Sequence, residues 1–166
     1  IRDNDPVYVM ENTTLYGNIG DVPDPGDGDF LIPLGKADIK REGSDISLIA
    51  HGASVLRCLE AADILASKHN IDAEVVDLRS IRPLDQDTII ESVKKTNRAV
   101  LVDESKPFCG VSAQIATLIQ EYAFDYLDAP VKRVCTIDAP AIYSPHVESD
   151  QLPNAKRIVA QVLTIA

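Results

Sequence analysis

The sequence contains few of the residues that mark disulfide-rich, membrane or metal-binding proteins. It has no tryptophan, one methionine and three cysteines in 166 residues. The cysteines, Cys58, Cys109 and Cys135, are isolated and show no CxxC spacing, so we expect reduced, buried thiols in a cytosolic or organelle-matrix protein. No run of about 18 apolar residues occurs, so we expect no helix that spans a bilayer.

Positive charge is also scarce. The chain has 16 lysine and arginine residues against 26 aspartate and glutamate residues, which gives a formal net charge of -10. A protein that binds nucleic acid needs a basic face that displaces counterions. The composition therefore argues against nucleic-acid binding, and an acidic surface suits a basic protein partner instead.

Sequence motifs for nucleotide and metal binding are missing. Neither GxGxxG nor GxxxxGK[ST] occurs, and His51, His69 and His146 are far apart, without HxxxH or HExxH spacing. His51 follows a predicted core strand, where parallel sheets bind ligands, but we interpret it as a side chain that satisfies nearby backbone groups. The sequence thus predicts no cofactor-binding and no metal-binding residue.

No group of residues has the pattern of a catalytic site. Cys109 precedes a predicted helix, whose amino terminus can activate a thiol, but no histidine is near it in sequence. We therefore interpret Cys109 as a buried structural thiol. Asp103 and Glu104 follow each other at the end of a predicted strand, where we expect both carboxylates to be solvated. We predict no catalytic residue in the chain.

The chain divides near residue 33. Residues 6–10 are apolar and predict a short strand, whereas residues 11–33 are rich in glycine, proline and aspartate. This composition breaks regular structure, so we interpret the segment as an acidic linker or arm, with an ordinary long surface loop as the alternative. The sequence starts at Ile1 without a methionine or a signal peptide, and we expect a piece of a longer polypeptide.

Strands and helices alternate after residue 33. The apolar patterns predict five strands, at residues 37–41, 46–50, 73–78, 99–103 and 131–137. Helices are predicted from residue 54 to about 69, from Pro83 to Lys95, from 111 to about 127 and from Pro153 onward, with residues 138–151 irregular. The alternation favours an α/β fold, a three-layer α/β/α sandwich with a five-stranded, mostly parallel sheet. The tight link around Gly43 is too short for a crossover, so we expect one antiparallel edge strand.

Six segments of the chain are distinctive. They are DPVYVMEN with LYG within residues 5–17, DFLIPLGKA at 29–37, DLRSIRPLD at 77–85, SVKKTNR at 92–98, AFDYLDAP at 123–130 and the helix after Pro153. In this order and spacing they resemble the beta subunits of thiamine-diphosphate-dependent 2-oxo acid dehydrogenases, of the pyruvate dehydrogenase type. The resemblance covers nearly the whole chain.

This resemblance implies the transketolase C-terminal domain fold for residues 34–166, and the end of an upstream pyrimidine-binding domain plus a linker for residues 1–33. In the family, thiamine diphosphate and magnesium lie between the alpha subunit and the pyrimidine domain of the beta subunit. The resemblance therefore implies that this fragment binds no cofactor and is inactive by itself. It also implies a cytoplasmic location in a bacterium, or the mitochondrial matrix or plastid in a eukaryote.

The resemblance further implies partners. Family members are alpha2-beta2 tetramers whose beta C-terminal domains pack about a two-fold axis and dock the basic peripheral-subunit-binding domain of a dihydrolipoyl acyltransferase. Asp128 matches an acidic contact position, and the end of the chain at Ala166 is a second contact region. For Asp128, the alternative is an ordinary carboxylate at a helix end.

Two alternatives to the pyruvate type stay open. One is the same domain of a branched-chain 2-oxo acid or acetoin dehydrogenase, and the other is a stand-alone protein-interaction module. Residues 81–83 and 30–37 favour the pyruvate type.

Overall fold

The computed structural model describes residues 3–21, 24, 26 and 30–166, and it divides the chain into two compact units, residues 1–31 and 32–166. Residues 22–23, 25 and 27–29 of the predicted linker lie outside the described part. In the first unit, a single 3-10 helix (Thr13–Leu15) is capped by the side chain of Asn12, which accepts a hydrogen bond from Thr14 N–H. The strand predicted at residues 6–10 is wrong, because this segment is exposed and forms no ladder with another strand.

The second unit contains the regular structure. Its elements are β1 (Asp38–Arg41), β2 (Ile46–Ala50), α1 (Ser54–His69), β3 (Ala73–Asp77), α2 (Gln86–Thr96), β4 (Ala99–Asp103), α3 (Val111–Tyr122), a 3-10 helix (Phe124–Tyr126), β5 (Lys132–Cys135), α4 (Pro145–Gln151) and α5 (Ala155–Val162). None of the described helices is long and apolar enough to cross a membrane.

The predicted three-layer α/β/α sandwich is confirmed. The strand order is β1-β3-β2-β4-β5, with β1 antiparallel to β3 and the other neighbours parallel. Helices α1 and α5 pack on one face of the sheet around Leu48 and Val100. Helices α2 and α3 cover the other face around Ile49 and Leu101. Strands β2 and β4 are apolar on both faces because both faces are covered.

The link between β1 and β2 explains why the antiparallel strand lies at an edge. Strand β1 pairs with β3 instead of its sequence neighbour β2, so the link crosses the start of β3. Ser44 N–H and Asp45 N–H both donate to the carbonyl oxygen of Asp72, at 3.1 and 2.9 Å. A Cβ on Gly43 would overlap the backbone of Ala73 and Glu74, so only glycine fits at this crossing.

Several predicted helix boundaries are corrected. Helix α2 begins at Gln86 and not at Pro83, because Asp85 caps it by accepting from Thr88 N–H and from the Thr88 hydroxyl. Helix α5 begins after its cap Asn154, and α3 ends at Tyr122 before a separate 3-10 turn. A short helix, α4, occupies the end of the segment predicted to be irregular.

Candidate docking site

Asp128 lies where the 3-10 helix after α3 turns toward β5. Its backbone N–H donates to the carbonyl oxygen of Asn97 at 2.9 Å, which fixes the turn against the end of α2. Asn97 takes a left-handed conformation as the cap of α2, and its side-chain amide donates to Tyr126 O at 2.8 Å. The Asp128 side chain stays 60% exposed. The carboxylate is therefore held in place by its backbone and available at the surface.

Arg98 brings Asp128 and the end of the chain together. Its Nη2 lies 3.6 Å from Asp128 Oδ2, and its Nε donates to Ile165 O at 2.8 Å. Ala166 follows and donates its N–H to Val162 O at 3.0 Å, with its side chain exposed. Arg98 itself is anchored, because its carbonyl oxygen accepts from Ser47 N–H on β2. We call Arg98, Asp128, Ile165 and Ala166 the Arg98 surface.

Exposed aromatic residues lie next to this surface. Tyr122 and Tyr126 are 62% and 47% exposed, and Phe124 is also exposed. Helix α3 ends at Tyr122, so Phe124 and Tyr126 lie beyond its helical spacing. Lys94 Nζ lies 5.2 Å from the Tyr126 ring centroid, a cation–π contact.

At the opposite, carboxyl end of the parallel strands lies a buried carboxylate that the sequence did not predict. Asp103 was expected to be solvated, but it is only 2% exposed. Its Oδ2 accepts from Ser112 N–H at the start of α3 at 2.9 Å and from the Ser105 hydroxyl at 2.6 Å. Its Oδ1 accepts from Ser105 N–H at 2.8 Å. Asp103 thus ties the loop after β4 to the first turn of α3.

His51 faces this carboxylate. The distance from His51 Nε2 to Asp103 Oδ1 is 3.6 Å, too long for a hydrogen bond, and Nε2 is buried without another partner in the described chain. The interpretation that His51 satisfies backbone groups is therefore wrong for Nε2. Burial by itself would raise the pKa of Asp103, but the neighbouring His51, the Ser105 hydroxyl and the N–H groups of Ser112 and Ser105 outweigh it and hold the pKa well below its usual range.

The residues at this end of the sheet do not fit a diphosphate or its magnesium ion. Parallel α/β sheets usually bind phosphates at strand carboxyl ends and helix amino termini. Here the first turn of α3 is already occupied by the anionic Asp103, which would repel a phosphate. Within the described ranges, no three His, Cys, Asp or Glu side chains are grouped to hold a metal ion. We derive no cofactor chemistry from these residues.

The remaining predicted candidates are dispersed. His69 is the last residue of α1 and His146 lies in the first turn of α4, both exposed. Cys58 is buried, which raises the pKa of its thiol, and Cys135 is also buried. Cys109 was expected to be buried, but this prediction is wrong: it is exposed in the loop before α3, where its backbone takes a left-handed conformation (φ 57°).

Sequence reasoning missed Arg98, Ser105 and Ser112. Arg98 contacts residues 30 and 67 positions further along the chain, and no local pattern signals such a contact.

Comparisons with known proteins agree with this architecture. The family described as "Transketolase, C-terminal domain" matches residues 35–158. A solved structure titled "Split gene transketolase, inactive beta4 tetramer" superposes with a TM-score of 0.73 at 27% identity, over 87% of this chain and 46% of that chain. A 2-oxoglutarate:ferredoxin oxidoreductase from Magnetococcus marinus shares the fold alone, with a TM-score of 0.52 and 13% identity, over 78% of this chain and 19% of that chain.

Curated relatives match over nearly all of this chain. The acetoin:2,6-dichlorophenolindophenol oxidoreductase beta subunit of Bacillus subtilis is 46% identical over 99% of this chain and 47% of its own length. The mitochondrial pyruvate dehydrogenase E1 beta subunit of Dictyostelium discoideum is 44% identical over 96% of this chain and 45% of its own length. The pyruvate dehydrogenase E1 beta subunit of Rickettsia felis is 46% identical over 98% of this chain and 48% of its own length.

The chain therefore spans about half the length of these beta subunits. Its strand order, its antiparallel edge strand and the match over residues 35–158 are mutually consistent. The chain belongs to the transketolase C-terminal domain family.

Proposed function

We propose that this chain is the C-terminal domain of the beta subunit of a thiamine-diphosphate-dependent 2-oxo acid dehydrogenase, and that it serves assembly and not chemistry. The subunit would pack with an alpha subunit and a second beta subunit, and the domain would dock the basic peripheral-subunit-binding domain of a dihydrolipoyl acyltransferase. Pyruvate is the proposed substrate of the whole enzyme.

The observation that carries this proposal is the Arg98 surface. The resemblance assigns two regions to docking, Asp128 and the end of the chain at Ala166. These regions are distant in sequence, but the Arg98 guanidinium contacts both Asp128 and Ile165. The carboxylate is exposed, and the chain has a net charge of -10, so a basic domain would be attracted electrostatically.

Exposed apolar side chains support a role in assembly. The loops after β4 and β5 are joined, because Lys106 Nζ donates to Ala139 O at 2.6 Å and Thr136 N–H donates to Ser105 O at 3.1 Å. These loops and the segment that follows expose Phe108, Ile137 and Tyr143. Apolar side chains gathered on one part of a surface often mark a protein interface.

Asp128→Lys in the beta subunit, assembled with its alpha subunit, tests the docking role. We expect the affinity for the acyltransferase domain, measured by isothermal titration calorimetry, to fall by roughly 2 to 5 kcal/mol, the usual cost of losing one partner of an interfacial charge pair. Decarboxylation by the free tetramer should stay near normal, because Asp128 lies at the amino end of the sheet and contacts no reacting group in the described chain.

Asp63→Lys is the matched control, since Asp63 is exposed on α1 and the charge change is the same. It should leave docking nearly unchanged. Unchanged affinity in Asp128→Lys, with the circular dichroism spectrum of the native fold, would remove Asp128 from the docking site.

Acetoin is the second candidate substrate, because an acetoin oxidoreductase subunit and pyruvate dehydrogenase subunits match this chain at 44 to 46% identity. The proposal of pyruvate depends on the resemblance of residues 81–83 and 30–37. Turnover of pyruvate and acetoin by the assembled enzyme, with 2,6-dichlorophenolindophenol as acceptor, distinguishes the two substrates.

A further inference from the structure

Edge strand β5 and helix α5 border a groove that the docking proposal does not use. Its main cavity has a volume of about 370 Å³ and is lined by Pro107, by β5 with the residues on either side of it, and by Arg157 and Gln161 of α5. A second cavity of about 150 Å³ adjoins it and shares Arg133, Arg157 and Gln161. Strand β5 lies at the end of the strand order, so no described strand covers this side of the sheet.

The groove is positively charged in an otherwise acidic chain. Lys132, Arg133 and Arg157 line the main cavity, against one carboxylate, Asp138. None of the three cations forms an ion pair within 4.0 Å with a described carboxylate. The whole chain has 16 lysine and arginine residues against 26 acidic residues, so most of its surface is negative. The lining of this groove, with three cations and one carboxylate, has the opposite sign.

Carbonyl oxygens hold both arginines in place. Arg157 donates from Nη1 to Gln151 O at 3.0 Å and Leu152 O at 2.9 Å, and from Nη2 to Cys135 O at 2.6 Å. Arg133 Nη1 donates to Pro107 O at 2.9 Å. A carbonyl positions a guanidinium without neutralising it, and each arginine has five N–H donors. Both groups therefore keep their charge and have donors left for an anion.

The groove is poorly suited to an added β-strand. Thr136 N–H points toward the β4 side, because it donates to Ser105 O. Backbone groups alternate along a strand, so those of Cys135 point outward, and its carbonyl oxygen is occupied by Arg157. Charged side chains on an edge strand also discourage aggregation, and this role by itself would explain the presence of Lys132 and Arg133 on β5. It does not account for Arg157, which is fixed on a different element.

We propose that this groove binds the carboxylate or phosphate group of a small anionic ligand, with Lys132, Arg133 and Arg157 as the recognising cations. Guanidinium groups pair with carboxylates and phosphates through two parallel N–H···O hydrogen bonds, and preorganised donors lose little entropy on binding. The site is separate from the Arg98 surface and does not depend on the docking role.

The test is a nuclear magnetic resonance titration of the 166-residue chain at constant ionic strength. One series uses succinate and the other uses inorganic phosphate. We expect saturable shifts confined to the backbone amides of residues 131–138 and 157–161, and the probe that saturates at the lower concentration identifies the preferred group. Shifts that grow without saturation, or that spread over all basic residues, would refute the site.

The double variant Lys132→Ala, Arg133→Ala should bind at least about tenfold more weakly, the loss expected for a charge-assisted hydrogen bond. Arg157 is kept, because it holds α4 and α5 to β5. Lys68→Ala, at the exposed end of α1, should bind like the unaltered chain. Lys132→Glu provides a second test, because it keeps the hydrogen bond of Arg133 with Pro107 O and should weaken binding of both anions. Unchanged affinity in either the double variant or Lys132→Glu would overturn the proposal.

Discussion

Asp103 shows how a single side chain can organise the loop that follows a strand. Its carboxylate accepts three hydrogen bonds, from Ser105 N–H, the Ser105 hydroxyl and Ser112 N–H. A negative charge at the amino terminus of α3 is also favoured by the helix dipole. These interactions favour the ionised form, so the pKa of Asp103 is lower in the folded chain than in the unfolded chain.

Asp103→Asn should lower the free energy of unfolding at pH 7 by about 1 to 3 kcal/mol, because the amide places an N–H group where one oxygen accepts hydrogen bonds. Because the folded-state pKa is depressed, the contribution of Asp103 is present above its unfolded pKa and is lost as the pH falls toward the folded pKa. The difference between the two proteins should therefore shrink as the pH is lowered from about 5 toward 2.

Urea unfolding at several pH values measures this difference. Asp63→Asn, at an exposed position of α1, is the control and should change stability by less than about 0.5 kcal/mol at every pH. A difference between wild type and Asp103→Asn that stays constant from pH 7 to pH 2 would show that the charge of Asp103 does not contribute.

Single residues also mark the limit of what the sequence could predict about the site. The assignment of Asp128 to a docking contact came from the resemblance and stays a prediction, although its carboxylate is exposed. Its neighbour Arg98 was not predicted as part of the site, because the contacts of Arg98 with Asp128 and Ile165 exist only after the sheet has formed. Cys109 was expected to be buried because cysteine usually is, but it lies in a connecting loop, and such loops run over the protein surface.

At the scale of elements, the central strands were the most predictable. Strands β2 and β4 match the predicted residues 46–50 and 99–103, because a strand buried on both faces is composed mostly of apolar residues. Helix ends were less predictable. Pro83 suggested the first residue of α2, but the capping hydrogen bonds that Asp85 accepts from Thr88 decide the start. Residues 6–10 have the composition of a strand but pair with no strand of the described chain.

The link between β1 and β2 gives a prediction at this scale. Gly43→Ala should destabilise the chain by about 1 to 3 kcal/mol, because its Cβ would overlap the Ala73 and Glu74 backbone where the link crosses β3. The loss appears as a lower urea midpoint. Gly17→Ala, where a Cβ meets no atom within 4 Å, is the control and should have little effect. Equal stability of the two variants would contradict the close crossing.

For the whole molecule, two surfaces that differ in charge lie on the same unit. In the Arg98 surface the exposed carboxylate of Asp128 lies beside one guanidinium group, whereas the groove beside β5 has three cations and one carboxylate. The acidic net charge of the chain does not predict a basic groove. The groove depends on Arg157, whose guanidinium donates to carbonyl oxygens of Gln151 in α4, of the next residue Leu152 and of Cys135 in β5. No sequence pattern indicates these three contacts.

The distribution of buried residues predicts which part of the chain folds by itself. All buried hydrophobic residues of the described chain lie between Ile46 and Val162, and no described residue before position 32 is buried. We therefore expect residues 32–166 to form an autonomous domain. Removing residues 1–31 should change the free energy of unfolding by less than about 1 kcal/mol, as surface changes usually do, and should leave the dependence on urea concentration similar.

A chain that starts at residue 46 is the matched comparison, because it also loses β1. Ile39 on β1 packs against the core around α2 and α3, and β1 pairs with β3 along the sheet edge. Full burial of an isoleucine side chain contributes roughly 1.5 to 3 kcal/mol, and Ile39 is partly buried. The loss of Ile39 and of the β1–β3 pairing together should therefore lower the stability of this shorter chain by more than about 1 kcal/mol. The prediction would be contradicted if the chain of residues 32–166 lost as much stability as the chain that starts at residue 46. In that case the first 31 residues would contribute to the stability of the fold, and the domain would begin before residue 32.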